Sequence, residues 1–368
     1  MIPIQKKILL VGPLNEQGVG GRLEEMKVWA RALDTHGAIV EVFSRFNSGH
    51  YFDHVKVWES AHIIFGKKID RIPALKSLLI RVWASKFLKG RRELFFKSSS
   101  WNRFANGFDG IILFINDSSS EREIFESSLD LPIYIRFTGT LKNFDTLVKD
   151  GLNLNLTKRA YIFHDPNLLR DFIPTLPHYF IDQTAIQEEK LLKVPIDQKC
   201  QVFAMIGLFM EVKQVEEVIQ TFANFPKLRL LLFGKGELES SYKKIIQRNS
   251  INNVEIRGFF PAQTMEMMFY EFDSLIINSS EETGPMTGVE AMAAGKIIIS
   301  TRVGAMPGRL NNDFFIISPS NSLSDIIENL GTFKPQKIER EKMRLRNKYL
   351  ENYSTNAISK QIADLILV

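Results

Sequence analysis

From Gln201 onward, short apolar runs and helical patterns take turns along the chain. Residues 202–206, 228–233, 254–257, 275–278, 297–300 and 314–317 read as strands. Residues 215–225, 238–248, 263–272 and 287–294 read as the helices between them. Strands that are apolar at almost every position are buried on both faces, which is the signature of a parallel sheet. Helices of this length are the natural crossovers between parallel neighbours. The second half of the chain is therefore expected to be an open, doubly wound α/β sheet. Such sheets bind ligands beyond the carboxyl ends of their strands.

The first half repeats the scheme less regularly. A strand at 7–11, a glycine-rich loop at 12–21, a helix at 23–33 and a strand at 39–43 form a βαβ unit. Further strand-like runs lie at 110–115, 132–135, 160–163 and 178–181, and 120–123 reads as a capping box. With 368 residues, two domains are expected. Prolines and polar residues interrupt the periodicity across 174–195. We place one Rossmann-like domain at 1–177 and a second at 178–350. Two helical patterns follow Pro335, at 338–350 and 357–367. The stretch 351–368 is expected to pack back on the first domain. Two such sheets facing each other would leave a cleft, a favoured place for a ligand.

Composition narrows the class of function. The chain is 45% hydrophobic and 24% charged, as soluble globular proteins are. Its one cysteine, Cys200, adjoins an apolar run and reads as a core thiol, and a reducing cytosol suits such a chain. The first apolar run ends at Gly12-Pro13, too short for a signal peptide, and no window is long enough to span a bilayer. Of the net charge of +5, much lies in one place: 66–103 carries eleven Lys or Arg against Asp70 and Glu93. Leucines, Trp83 and Phe87 interleave with those cations, a basic amphipathic pattern suited to an anionic membrane surface or to a helix solvated on one face. A cytoplasmic protein, peripheral at the inner face of a membrane, is the corresponding expectation. No nucleic-acid-binding motif is present, so nucleic acid is not expected as a partner.

Five loops carry candidate chemistry. In the first, Gly18, Gly20 and Gly21 precede a helix whose amides could meet an anion or a sugar. A dinucleotide fingerprint would need glycine at Leu23, and a plain turn remains open. In the second, Gly207 ends a strand and Lys213 stands at the mouth of the next helix, suited to a phosphate or to solvent. Gly234-Lys-Gly-Glu and Arg257-Gly-Phe-Phe-Pro are strand-end loops on the same edge: the first could line the cleft or cap the next helix, and the aromatics Phe259 and Phe260 of the second could stack on a base or simply pack. The fifth is SSEETGPMTGVEAMAAGK, 279–296. Glu282 lies in the loop, Gly284-Pro285 turns the chain, a helix starts near Met286 or Thr287, and Glu290 lies in its first turns. The amides at that helix start could hold a diphosphate, Glu290 a ribose and Glu282 a sugar.

The segment 278–307, with Glu282-x7-Glu290, Ala291-Met-Ala-Ala-Gly295 and Val303-Gly-Ala-Met-Pro307, resembles the donor-binding region of family-four retaining glycosyltransferases with the GT-B fold. The likeness extends through 207–213, 234–236 and 254–258, and in the first half to the 18–21 loop. It implies a retaining transfer of a sugar from a nucleotide-diphosphate sugar to a glycan or lipid-linked acceptor, as in bacterial surface polysaccharide synthesis. It implies a catalytic group of Glu282, Lys213 and Arg136. Donor contacts would come from Glu290, Gly207, Gly284, Met286, Thr287, Gly234, Gly258 and Phe259, with Gly18, Gly20 and Gly21 on the acceptor side. The family's arginine after Gly207 is Leu208 here, and its histidine after the 132–135 strand is replaced by a run with Arg136 and Thr138. Pro285 has no N–H to offer at the helix start. There is no Asp-x-Asp and no cluster with metal spacing, so neither a metal nor a separate cofactor is expected. A protein that binds a nucleotide sugar or partner without turnover, or a nucleotide-sugar epimerase, is the competing expectation.

Overall fold

The computed structural model describes residues 5–12, 21–44, 52, 54–59, 62–63, 71–72, 98–115, 124–125, 127, 129–138, 158–169, 177–260 and 262–368. The chain divides into two compact units. Unit 1 comprises Met1–Phe163, Leu169–Ile181 and Ser359–Val368; unit 2 comprises His164–Leu168 and Asp182–Ile358.

Unit 1 begins with β1 (Lys7–Val11), α1 (Gly21–Thr35), β2 (Ile39–Ser44) and β3 (Lys56–Glu59). It continues with α2 (Ser99–Ala105), β4 (Gly110–Ile115), β5 (Ile133–Phe137), β6 (Arg159–Phe163) and β7 (His178–Phe180). The strands form one sheet in the order β3-β2-β1-β4-β5-β6-β7, and every pair is parallel. β4, GIILFI, is buried at all six positions because it is central and covered on both faces. Trp29 of α1 meets Phe114 of β4 edge-on at 5.8 Å, which sets α1 against the sheet. β3 and α2 were not expected. α2 buries Trp101, whose ring lies 5.1 Å from Phe43, so the end of the basic stretch belongs to this core. Residues 66–70 and 73–97 of that stretch, the 120–123 capping box, Gly18 and Gly20 lie outside the described residues.

Unit 2 runs through α3 (Glu188–Leu191), β8 (Val202–Ile206), α4 (Val215–Ala223), β9 (Arg229–Phe233), α5 (Glu239–Arg248) and β10 (Val254–Gly258). After it come β11 (Ser274–Ile277), α6 (Met286–Ala293), β12 (Ile297–Thr301), α7 (Met306–Leu310) and β13 (Ile316–Ile317). α8 (Leu323–Gly331) and α9 (Pro335–Asn352) follow, and α10 (Thr355–Ile366) completes the chain, its residues from Ser359 onward being counted in unit 1. The sheet order is β10-β9-β8-β11-β12-β13, again wholly parallel. The chain winds outward from β8, then returns to its other side at β11, which makes a topological switch between those two strands.

Two expectations shift in detail. Residues 262–270 form a 3-10 helix rather than an α-helix, and it still buries Met268 and Phe269. Of 314–317 only Ile316 and Ile317 pair as strand. Asn312 caps a 3-10 turn over Asp313–Phe315 by accepting from the Phe314 amide at 3.2 Å, which uses the backbone donor a longer strand would need. Cys200 is a packed thiol beside Ser274 Oγ at 3.2 Å, and burial pushes it up to about 11. Among the described residues no helix is long and apolar enough to cross a membrane.

At the end of β9 the Gly234 amide donates to the Gly258 carbonyl at 2.8 Å, and a Cβ on Gly234 would lie 1.9 Å from the Gly207 carbonyl oxygen. Gly234→Ala is expected to cost about 3 kcal/mol, read from the denaturant midpoint, because backbone rather than a flexible side chain must give way. A second expectation concerns Lys296, buried before β12 with Lys342, Arg346, Asp273 and Asp197 around it. Burial, helped by Lys342 and Arg346, brings its amine from 10.5 down to about 8. Below pH 8 the amine is charged in both states and the burial cost is fully present. Above that, up to about 10.5, the unfolded chain holds the proton more tightly, so stability rises with pH. Lys296→Met should therefore stabilise the fold at pH 7 by up to about 3 kcal/mol, with the gain fading by about pH 10 in thermal melts.

Candidate functional site

The switch between β8 and β11 places two loops side by side at the carboxyl edge of the unit 2 sheet. The β8 loop passes Gly207 and Leu208, makes a 3-10 turn over Glu211–Lys213, and enters α4 through Gln214 in the left-handed region at φ 48°. The β11 loop leaves Ile277 as Asn-Ser-Ser. Polar contacts stitch the two together. The Ser280 amide donates to the Val212 carbonyl at 2.9 Å, and Asn278 Nδ2 donates to the Gln214 carbonyl at 3.2 Å. Lys213 and Glu282, 69 residues apart in sequence, form an ion pair across the loops, and Ser279 Oγ donates to the same carboxylate at 3.0 Å. Neither charged side chain is deeply buried, so each can exchange its partner with a ligand.

A small open pocket lies here, with Gly207, Leu208, Lys213, Ser279, Glu282 and Thr287 in its wall. α6 starts at its edge. Pro285 is the N-cap, at φ −61°, and no side chain caps the helix. Its ring thus stands outside the helix, where a missing N–H removes no helical bond, and its carbonyl takes the Gly288 amide at 3.0 Å. This resolves the difficulty that Pro285 posed in sequence. Pro285 and Thr287, at the positive end of the helix, line the pocket. The loop before it is held from behind. Gly304, at φ 48°, comes so close that a Cβ would sit 2.1 Å from the Thr283 carbonyl oxygen, and the Ala305 amide donates to that oxygen at 2.9 Å.

The structure thus brings Gly207, Lys213, Glu282 and Thr287 together. Gly284 and Met286 flank Pro285 on the same loop. Glu290 is one turn farther into α6, buried at 1% exposure, and is not in the pocket wall. Gly234 directly follows β9, and Gly258 ends the neighbouring β10. Phe259 is 46% exposed, with the Lys235 ammonium 4.4 Å over its ring. Gly21 is the exposed first residue of α1 in unit 1. Arg136 belongs to unit 1, where it is wholly buried. Its Nε donates to Glu25 at 2.5 Å and its Nη1 to the Ile181 carbonyl at 2.6 Å, so its charge is already matched. Ser279 is the pocket residue that sequence reasoning passed over. It read only as the end of a strand, although a serine three residues before a glutamate is a sign of local hydrogen bonding.

Residues 186–348 match the family described as Glycosyl transferases group 1. Over 127 residues, 34% of the chain, the sequence is 24% identical to the uncharacterized glycosyltransferase MJ1178 of Methanocaldococcus jannaschii. The match spans 36% of that relative, about a third of its length. Solved structures resemble the whole chain. TarM of S. aureus superposes with a TM-score of 0.73 at 11% identity, covering 100% of both chains. Sucrose-phosphate synthase of Thermosynechococcus elongatus gives 0.69 at 14%, covering 98% of both. HepE of Anabaena, in complex with UDP and glucose, gives 0.68 at 16%, covering 99% of this chain and 100% of that one. At such identities the structural likeness bears on the fold alone. The chain has the GT-B fold, and its residues 186–348 match the model of the group 1 glycosyl transferases.

Proposed function

We propose that the protein is a retaining glycosyltransferase that moves a sugar from a nucleotide-diphosphate sugar to a glycan or lipid-linked acceptor, in the synthesis of a surface polysaccharide. The observation that carries this reading is the meeting of Lys213, Glu282 and the uncapped start of α6 in one pocket. A diphosphate would take Lys213 from Glu282 and lie against the first-turn amides of α6. Glu282, released, would accept a hydroxyl hydrogen bond from the donor sugar. Glu290 would serve the ribose, once a movement of its surroundings uncovers it.

The chemistry follows from where charge develops. The bond between the anomeric carbon and the diphosphate oxygen breaks. The acceptor oxygen bonds to that carbon on the same face, and its proton passes to the departing phosphate oxygen. Lys213 and the α6 dipole stabilise the negative charge of the leaving group. No residue need act as a base, and no cofactor enters the proposal. HepE is recorded with UDP and with UDP-glucose, and WaaB is a lipopolysaccharide outer core galactosyltransferase. UDP-sugars are accordingly the first donors to test, and surface glycans the first acceptors.

Binding without turnover is the second reading, favoured by the burial of Glu290. Acceptor-dependent release of nucleoside diphosphate separates the two: turnover requires it and mere binding does not. In that assay Lys213→Ala is expected to lower kcat about a hundredfold or more. Glu290→Ala is expected to raise KM for the donor. Wild-type transfer in both variants would remove the assignment. The basic stretch 66–103 suits an anionic surface that presents a lipid-linked acceptor. Co-sedimentation with vesicles rich in anionic lipid, lost in neutral vesicles and at high salt, is the expected result.

A further inference from the structure

Arg309, in α7, is wholly buried. An arginine taken out of water costs several kcal/mol unless its donors are matched. Here Nε and Nη2 grip the Asp182 carboxylate, at 3.0 Å to Oδ2 and 2.6 Å to Oδ1. Nη2 also donates to Gln183 Oε1 at 3.1 Å. The remaining arm, Nη1, donates to the Pro285 carbonyl at 2.7 Å. Asp182 is itself oriented by the Gln183 amide, which donates to Oδ1 at 2.7 Å. On the other side of α7, Lys348 Nζ donates to the Gly308 carbonyl at 2.7 Å.

Pro285 is the N-cap of α6, and no side chain caps that helix. Its carbonyl direction sets the direction of the first turn, and therefore of the amides beside the pocket. A positive charge behind a helix start works against the helix dipole. Asp182 neutralises that charge, so what Arg309 supplies is geometry. Only a planar fork can hold a carboxylate with one edge and a carbonyl with the other.

We infer that Arg309 is a positioning residue: through Asp182 it holds the Pro285 carbonyl, and so sets the first turn of α6 for the diphosphate of the donor. The inference rests on the proposed reading of that helix start as the diphosphate site. A structural role alone would lower stability and leave ligand preference unchanged. A positioning role lowers affinity for a nucleoside diphosphate more than for its monophosphate.

The test uses the full chain and a panel of UDP, GDP, ADP and dTDP, each against its monophosphate, by isothermal titration. Wild type should prefer at least one diphosphate. Arg309→Lys, which keeps the charge but loses the fork, should weaken that diphosphate about tenfold or more while the monophosphate holds. Asp182→Asn, which keeps the shape, should do the same in smaller measure and serves where the lysine variant fails to fold. Variants that melt lower yet keep the wild-type ratio of diphosphate to monophosphate affinity would overturn the inference and leave the proposed function standing. A wild type with no preference for any diphosphate would overturn both.

Discussion

A parallel sheet that winds out from one strand and returns to its other side must send the loops of two adjacent strands in opposite directions. In unit 2 those strands are β8 and β11, and a small pocket lies at the carboxyl edge between them. Much of the local structure secures that opening. Backbone bonds tie the β11 loop to the β8 loop, from the Ser280 amide to the Val212 carbonyl. The 303–305 turn braces Thr283. The tight stack of Gly207, Gly234 and Gly258 carbonyls and amides closes the neighbouring strand ends without side chains. Such bracing matters because a site built on loops is only as well ordered as the backbone contacts behind it.

The charges divide by depth. Arg136 with Glu25, and Arg309 with Asp182, are sealed inside their units, and each of these two guanidiniums has its carboxylate. Breaking such a pair leaves a charge stranded, so these belong to the fixed frame. Lys213 with Glu282 is different. It is partly exposed, where an ion pair contributes at most about 1 kcal/mol, so a diphosphate bearing more charge can displace the carboxylate. The same lysine then neutralises the ligand and the same glutamate becomes free for a hydroxyl. The proposed catalysis depends on this contrast between a rigid buried set and one exchangeable pair.

Much of this frame could be read from the chain. The apolar runs at 7–11, 110–115, 202–206 and 297–300 became strands because buried parallel strands need apolar residues on both faces. Lys213 and Glu282 were legible as loop residues at strand ends. Other features were hidden for definite reasons. α7 is five residues long, too short to show a period, and contains a proline and a glycine. α8 carried a readable signal, Ser322 and Asp325 as a capping box, that was passed over. Residues 314–317 looked like one strand because Phe and Ile favour strands, but Asn312 captured the first of them as a turn.

The sequence by itself determined the class of fold, since alternation of fully apolar strands with amphipathic helices has few packed solutions. It also determined which loops could carry chemistry, because glycine and charge at strand ends have local causes. Only the tertiary structure decided who meets whom. Lys213 finds Glu282 because β8 and β11 are neighbours although the two residues are 69 positions apart in sequence. Glu290 faces into the packing of α6, and Arg136 turns into the core of unit 1 rather than toward an open edge. Arg309, an ordinary cation in the sequence, becomes the hold on the helix start because Asp182 and Pro285 arrive from distant stretches of the chain. Pairings of this kind rest on long-range geometry, and no local pattern encodes them.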